Sequence, residues 1–515
     1  MLLFAMTKDH FTPTYARLVN NTNPSWWKDS CLRWNVFYTL GCMLCPFYLG
    51  YDQSLLGGLQ AMPYWIDYFD HPKGDRLGLI SAALILPAIV MGFPGAWICN
   101  EWGRKWCIYI GCIFIIVGAV WNALCRSATE FIVSRVVMGI GGALAKTSAP
   151  ALLQETAHPR LRSVMGSMYY GSFFLGSFVS GIFCIIGLKI ENDWSWRFPC
   201  LAAFLGPSFV LLILLKAPES PRFLINKGKH DEALNILAKY HANGDVSDPL
   251  VQWEYQEILY ALEAEAASSN SYVDFFKTKG NRKRLLVSIA IAIGTNWMGN
   301  GVVSYFLSPV LKSVGITTPK LILAINAGLA AWNFIIAEVA GLYAEGFGRR
   351  PLFFTSMIGM IFTFSFVMGF SAGFAETGIA GIGIATVPFL FLFFGFYNIA
   401  WTPLNYTYCA EIMPFGLRAK GLAIYLAIQQ LGGAFNQFVN PIALETIGWK
   451  YYGAYIAIDC LYVVLIYFYF PETNKLSIEE VAVIFDFDMK DDRDQAALAF
   501  QAQGEKSVVD RTRDS

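Results

Sequence analysis

Twelve stretches of about twenty mostly apolar residues, six on each side of one water-soluble interior segment, constrain this chain more than any other feature. Only helices and closed barrels cross a bilayer with every backbone group satisfied, and a helix needs roughly 20 residues to do so. The expected spans lie at residues 35–57, 77–99, 106–124, 131–153, 164–188 and 198–216, then at 285–311, 321–343, 351–370, 381–409, 422–444 and 451–470. The expected fold is therefore an all-α membrane protein of twelve transmembrane helices in two six-helix halves. At 515 residues, 55% hydrophobic and 15% charged, the chain leaves little material for a separate soluble domain.

The interior segment, 217–284, opens on Pro218-Glu219-Ser220-Pro221-Arg222 and closes on Arg282-Lys283-Arg284. Ala233, Leu234, Leu237 and Tyr240, then Tyr255, Ile258, Leu259 and Leu262, recur at helical spacing, which predicts short amphipathic helices rather than a bare linker. The implied order is an N-terminus at 1–34, a first half at 35–216, the segment at 217–284, a second half at 285–470 and a tail at 471–515. An even number of spans puts both termini and the segment on one side. Arg104-Lys105, Arg160, Arg162, Arg349-Arg350, Arg418 and Lys420 fall on that side and mark it as cytoplasmic. Residues 1–33 are mixed and polar, without the apolar core and cleavage site of a secretion signal.

Net charge is zero, so nothing argues for a nucleic-acid partner. The eleven cysteines, among them Cys42, Cys45, Cys107, Cys112, Cys184 and Cys460, lack zinc or disulfide spacing and are expected as free, buried thiols. No metal-ligand cluster, nucleophile-base pair or phosphate-cradling loop appears, so neither an enzyme nor a cofactor is expected.

An internal repeat is visible. Ala96-Trp97-Ile98-Cys99-Asn100-Glu101-Trp102-Gly103-Arg104-Lys105 follows the second span, and Gly341-Leu342-Tyr343-Ala344-Glu345-Gly346-Phe347-Gly348-Arg349-Arg350 follows the eighth. Two matched copies six helices apart are what a transporter built from repeats would carry.

With Gly50-Tyr51-Asp52, Arg135, Gly139 and Gly141, Glu155 through Arg162, Trp196-Arg197-x-Pro199, Pro218 to Arg222, Glu411-Ile412-x-Pro414 with Arg418, and Pro471-Glu472-Thr473, the chain resembles the sugar-porter branch of the major facilitator superfamily from about residue 35 to 485. The run Asn440 to Leu444 followed by Gly448 to Tyr452 resembles fungal members, including the lactose and cellodextrin permease-like group. The resemblance implies alternating access, with two halves rocking about a midplane sugar site.

Asp52 lies toward the end of the first span, where an intramembrane carboxylate is a functional candidate by default, and Arg135 in the fourth is at similar depth. A conformational change that separates the two would let Asp52 accept a proton. The resemblance assigns the matching acid to proton coupling; the alternative is a static ion pair that locks helices together. For sugar recognition, amides offer donor and acceptor together and aromatic rings cover the apolar face. At about 100° per residue Gln429, Asn436 and Asn440 share one helix face, with Gln430 beside it. Asn296, Asn300 and Tyr305 lie in the seventh span, and Tyr406 follows a Trp401-Thr402-Pro403 break in the tenth. The bland reading of these amides is interhelical hydrogen bonding, at ~1 kcal/mol each. Tyr170 and Asn296 stand where many monosaccharide porters have glutamine, and Tyr406 where they have tryptophan. These departures argue against a plain glucose carrier and leave room for a disaccharide or another polyol.

The family motifs also place Arg104, Glu155, Arg162, Glu219, Arg222, Glu345, Arg349, Glu411 and Arg418 at inner helix ends, as an ion network that locks and releases the halves. Together these readings point to a proton-coupled sugar transporter of the plasma membrane. It is expected to act as a monomer, with sugar, proton and lipid as its partners. The alternatives are an uncoupled sugar, polyol or quinate carrier, and a non-transporting nutrient sensor.

Overall fold

The computed structural model describes residues 20–23, 25–267, 271–343, 346–473, 481, 484 and 485. The helices among them are, in chain order, α1 (Ser30–Leu59), α2 (Pro63–Tyr68), α3 (Gly74–Ala82), α4 (Leu86–Glu101), α5 (Arg104–Leu124), α6 (Ala128–Thr156), α7 (Pro159–Gly187), α8 (Trp194–Ala202) and α9 (Leu205–Leu214). The interior segment forms α10 (Pro221–Asn226), α11 (His230–His241), α12 (Pro249–Ala267) and α13 (Asp274–Lys277). Then follow α14 (Lys279–Trp297), α15 (Asn300–Tyr305), α16 (Leu307–Ser313), α17 (Pro319–Tyr343), α18 (Arg349–Thr377), α19 (Ala380–Ile384), α20 (Thr386–Ala400), α21 (Leu404–Ile412), α22 (Phe415–Ile447) and α23 (Tyr451–Tyr469).

Ten helical stretches among the described residues are long and apolar enough to cross a membrane. Two expected spans do not stand separately among the ten. The first, α1, is diluted by Asn35, Asp52 and Gln53. The last runs on from the one before it in a single stretch, Lys420–Tyr469, because the 3-10 turn Gly448–Lys450 links α22 to α23 without an extended break. The seventh expected span is a broken helix. Gly299 there is left-handed, with φ 88°, and Phe364 would stand 2.8 Å from any Cβ added to it. The tenth breaks at Trp401-Thr402-Pro403, where proline withholds a backbone donor.

The amphipathic helices of the interior segment bury the stripe that predicts them. Ala233 packs with Phe223, Leu224, Tyr255, Ile258, Leu259 and Leu262, and Leu237 with Ala238 and Val251. The segment ends earlier than its charges suggest. Thr278 caps α14 by accepting from the Asn281 amide, and Arg284 is buried with its guanidinium 5.0 Å from the Phe485 ring centroid.

Packing divides the chain into two compact units that cut across the two sequence halves. Unit 1 comprises Met1–Asp52, Val90–Ser177 and Arg197–Ser268; unit 2 comprises Gln53–Ile89, Phe178–Trp196 and Ser269–Ser515. Within unit 1, α1 and α7 cross in backbone contact. A Cβ on Gly50 would stand 1.8 Å from the Phe173 carbonyl oxygen and one on Gly176 1.8 Å from that of Phe47, while Ser177 Oγ donates to the Gly50 carbonyl at 3.0 Å. Within unit 2, the end of α1 and the start of α3 pack against the second sequence half. Gly78 approaches the Phe438 carbonyl of α22 so closely that a Cβ would stand 2.6 Å from it.

All eleven cysteines are free, and ten are buried. Cys460 departs from the expectation of burial. It lies on a face of α23 shared with exposed Leu461, Val464, Tyr467 and Phe468, an apolar surface of the kind lipid covers.

Candidate functional site

The α1–α7 crossing positions Asp52 two residues beyond Gly50. Asp52 is 6% exposed and Arg135 of α6 is 2% exposed, with its guanidinium 6.0 Å from the Phe131 ring centroid. Arg135 carries the opposite charge within the same unit. Yet Asp52 Oδ1 and Arg135 Nε make no hydrogen bond. Both buried groups therefore keep hydrogen-bonding capacity free, which a static lock would use up. Tyr170, also in unit 1, is half-buried with its ring perpendicular to Tyr169 at 5.3 Å.

In unit 2 the amides of α22 separate into two groups. Asn440 accepts from the Tyr451 and Tyr455 hydroxyls at 2.9 and 2.6 Å and donates to Asn436 Oδ1 at 2.8 Å, while Asn436 donates to Tyr455 at 3.2 Å. These two fasten α22 to α23. Gln429 Nε2 donates to the Tyr425 hydroxyl at 2.9 Å, and the Gln429 carbonyl accepts from Asn296 at 3.0 Å. Asn300 donates to the Thr295 carbonyl at 2.9 Å, and its Oδ1 has no hydrogen bond. Tyr305 donates to Gln53 Oε1 at 2.6 Å. Half-buried Tyr406 sets its ring 6.3 Å from Tyr425, and Gln430 is half-buried on α22.

Sequence reasoning missed four polar groups here. Gln53, Tyr425 and Thr295 complete the contacts above. Gln437, 2% exposed with Oε1 unbonded, lies on the Gln430 face of α22, about 80° from the stripe. The pairing of Gln430 with Gln437, seven residues on, was the available signal. Asp459 of α23 was missed too. It is 0% exposed and neither carboxyl oxygen makes a hydrogen bond, although a lone acid in an apolar run is the same signal that singles out Asp52.

The repeat motif takes the same form in each unit. In unit 1, Arg104 binds Glu155 through two nitrogens, at 2.9 and 3.1 Å, and Glu219 accepts the amides of Arg104 and Lys105, both at 3.2 Å, at the start of α5. In unit 2, Arg349 binds Glu411 at 2.9 and 3.4 Å, and Glu472 accepts the amides of Arg349 and Arg350 at 2.8 and 3.0 Å at the start of α18. Ser220 Oγ donates to Glu155 as Thr473 Oγ1 donates to Glu411. Pro-Glu-Ser and Pro-Glu-Thr are therefore a second repeated pair, one that the sequence displays at 218–220 and 471–473. Each carboxylate satisfies orphan amides at a helix N-terminus. The preceding glycine leaves it room, since Glu219 and Glu472 would stand 2.5 and 2.6 Å from a Cβ on Gly103 and Gly348. Burial pushes Glu219 up from the usual carboxylate range, against the pull of the amides it accepts. Each of these pairs lies within one unit. Glu345 falls outside the described residues, Arg222 is half-buried, and Arg418 Nε makes no hydrogen bond.

Arg162 pairs instead with the interior segment, at 3.3 Å from Glu254. Glu254 also holds His241 Nδ1 at 2.6 Å, and His241 Nε2 lies 3.1 Å from the Thr156 carbonyl at the end of α6. His158, its ring 5.2 Å from that of His241, accepts from the Arg160 amide through Nδ1, so its proton is on Nε2. Burial, then the neighbouring His241 and Arg160, push His158 down to about 2.

A bundle of apolar helices with broken members, buried polar groups at span depth and duplicated ion networks at the helix ends defines a multi-pass membrane transporter of the major facilitator type. A family model described as "Sugar (and other) transporter" matches residues 38–485, and the chain belongs to that family. It is 27% identical over 471 residues to the MFS-type transporter oryC of Aspergillus oryzae, covering 87% of this chain and 85% of that one. It is 28% identical over 464 residues to Hexose transporter 2 of Kluyveromyces lactis, covering 85% and 80%. The fold matches the partially occluded inward-open xylose transporter XylE of E. coli with a TM-score of 0.73 at 21% identity, over 86% of this chain and 100% of that one. Each of these three is named a transporter.

Proposed function

We propose that this chain takes up a sugar across the plasma membrane together with a proton, by alternating access, with Asp52 as the coupling group. The observation that carries this reading is two buried opposite charges in one unit, Asp52 and Arg135, each with bonding capacity left over. It is supported by a fold neighbour described as a proton:xylose symporter and by hexose transporters among the relatives. Asn296, Asn300, Tyr305, Tyr406, Gln429 and Gln430 are the proposed sugar contacts of unit 2, with Gln53 and Gln437 added. Asn436 and Asn440 support them from behind, and Tyr170 is proposed from the family resemblance.

The same reading takes α1 as a further span and Lys420–Tyr469 as two, which makes twelve. It keeps the 35–216 and 285–470 halves, with the interior segment, the termini and the duplicated ion networks facing the cytoplasm, and a monomer as the working unit. The substrate would be a mono- or disaccharide, the departures at Tyr170, Asn296 and Tyr406 leaving room for a disaccharide of the kind the lactose and cellodextrin group carries. The test is uptake of labelled glucose, xylose, lactose, cellobiose, maltose and inositol into transporter-deficient yeast at acidic and neutral pH, with and without a protonophore. Accumulation that collapses with the protonophore and is lost in Asp52→Asn, with passive exchange retained, is expected. Equilibration insensitive to the protonophore would leave an uncoupled carrier, and full accumulation by the variant would remove Asp52 from coupling.

A further inference from the structure

Unit 2 holds a cavity of about 390 Å³ that none of the proposed sugar contacts lines. Its walls come from the end of α1, the α2–α3 turn, the end of α16, the end of α22 and the start of α23. The volume is within the range of small-molecule sites. Most of the lining is apolar: Trp65 and Tyr452, each 1% exposed, with Leu77, Pro309, Pro441 and Leu444.

Two features go beyond an apolar hollow. Gln60 is 5% exposed and donates to the Tyr305 carbonyl at 2.9 Å, but its Oε1 has no hydrogen bond. A buried amide oxygen left this way asks for a donor from whatever enters. Around the cavity stand Lys73, Lys312 and His71 against a single acid, Glu445, whose carboxylate lies over the backbone of Gly74. Lys312 Nζ also donates to the Gln60 carbonyl at 3.1 Å, so the cation and the unbonded acceptor are adjacent. His71 lies 3.5 Å from Asp67, which draws it away from an anion and leaves the two lysines as the main attraction.

The geometry points to a second binding site, distinct from the sugar site, for a hydroxylated aromatic or alicyclic carboxylate: carboxylate on Lys73 and Lys312, ring against the apolar wall, hydroxyl donating to Gln60 Oε1. A neutral hexose fits less well. Its five hydroxyls would lie in part along the apolar wall without partners, and the excess positive charge of Lys73 and Lys312 over Glu445 would stay uncompensated. A ligand filling the cavity ties residues 60–77 to α16 and α22. Resting on the transport reading above, it would slow turnover without competing for sugar, because the carrier would have to part those elements to reload.

The experiment separates binding from transport. Purified full-length protein in nanodiscs is titrated with 4-hydroxycinnamate and with its neutral amide, with calorimetry as readout. Saturable binding of the acid, at least tenfold weaker for the amide and for Lys73→Gln, is expected, and Gln60→Leu should weaken the acid severalfold. Lys73 is exposed, so its substitution leaves the fold and sugar uptake unchanged. In uptake assays the acid should lower the maximal rate with KM unchanged. Equal binding of acid and amide, no binding at millimolar concentration, or displacement of the acid by the transported sugar would each overturn the site. Binding of the acid without uptake of any sugar would uphold the site and count against the transport reading alone.

Discussion

Gly50 and Asp459 show what single positions contribute. At Gly50 the α1–α7 backbones touch, so Gly50→Val must push the helices apart, and Asp52 moves with them. The variant is expected to lose uptake and to lower the unfolding temperature in detergent, overpacking of this kind costing about 1–3 kcal/mol. An unchanged melting curve would show that the crossing relaxes freely. Asp459 leads to the opposite expectation. Its carboxyl is buried without a hydrogen bond, a cost of about 1–3 kcal/mol, so Asp459→Leu should raise the unfolding temperature. A fall would reveal a partner that the carboxyl gains in another conformation. At this scale the burial of a polar group was legible where it interrupts an apolar run, as Asp52 does and as the overlooked Asp459 also does. The division of labour between two like residues was not legible. Asn436 and Gln437 are neighbours in the chain, yet one is held by Tyr455 and the other keeps an open acceptor.

Helix ends carry the next set of consequences. Glu219 and Glu472 cap α5 and α18 in the same way, so Glu219→Ala and Glu472→Ala should each cost about 1–2 kcal/mol of stability. Equal shifts in thermal unfolding are expected; a large inequality would show that the two copies differ in load. The docking of α11 and α12 on the end of α6 is acid-sensitive by construction. His158 is held down to about 2 against an ordinary value of 6.5, so between those values the unfolded chain binds the extra proton. Stability from this group is complete above pH 6.5 and falls as pH drops below it, by about 2 kcal/mol at pH 5. His158→Gln should flatten the melting temperature between pH 7.5 and 5 relative to the parent, and parallel curves would refute the assignment. Periodicity foretold these helices, because amphipathic spacing survives in the sequence. The histidine cluster was hidden, since His158, His241 and Glu254 meet only after the interior segment has folded back.

For the molecule as a whole, apolar run length foretold an all-helical membrane fold, while the partition of packing was out of reach. Which helix ends join which unit depends on contacts such as Gly78 with Phe438, between residues 360 positions apart, and no local pattern encodes them. Deleting 488–515, outside the described residues, is expected to leave uptake intact. Loss of growth signalling with no uptake in either form would favour a sensor. The burial of ten thiols has a practical outcome of a different kind. Cys460 alone is open to a membrane-permeant alkylating probe, so the unmodified protein already carries a single attachment point on α23. A polarity-sensitive fluorophore placed there would report the surroundings of that helix during turnover, with no cysteine-free background to engineer.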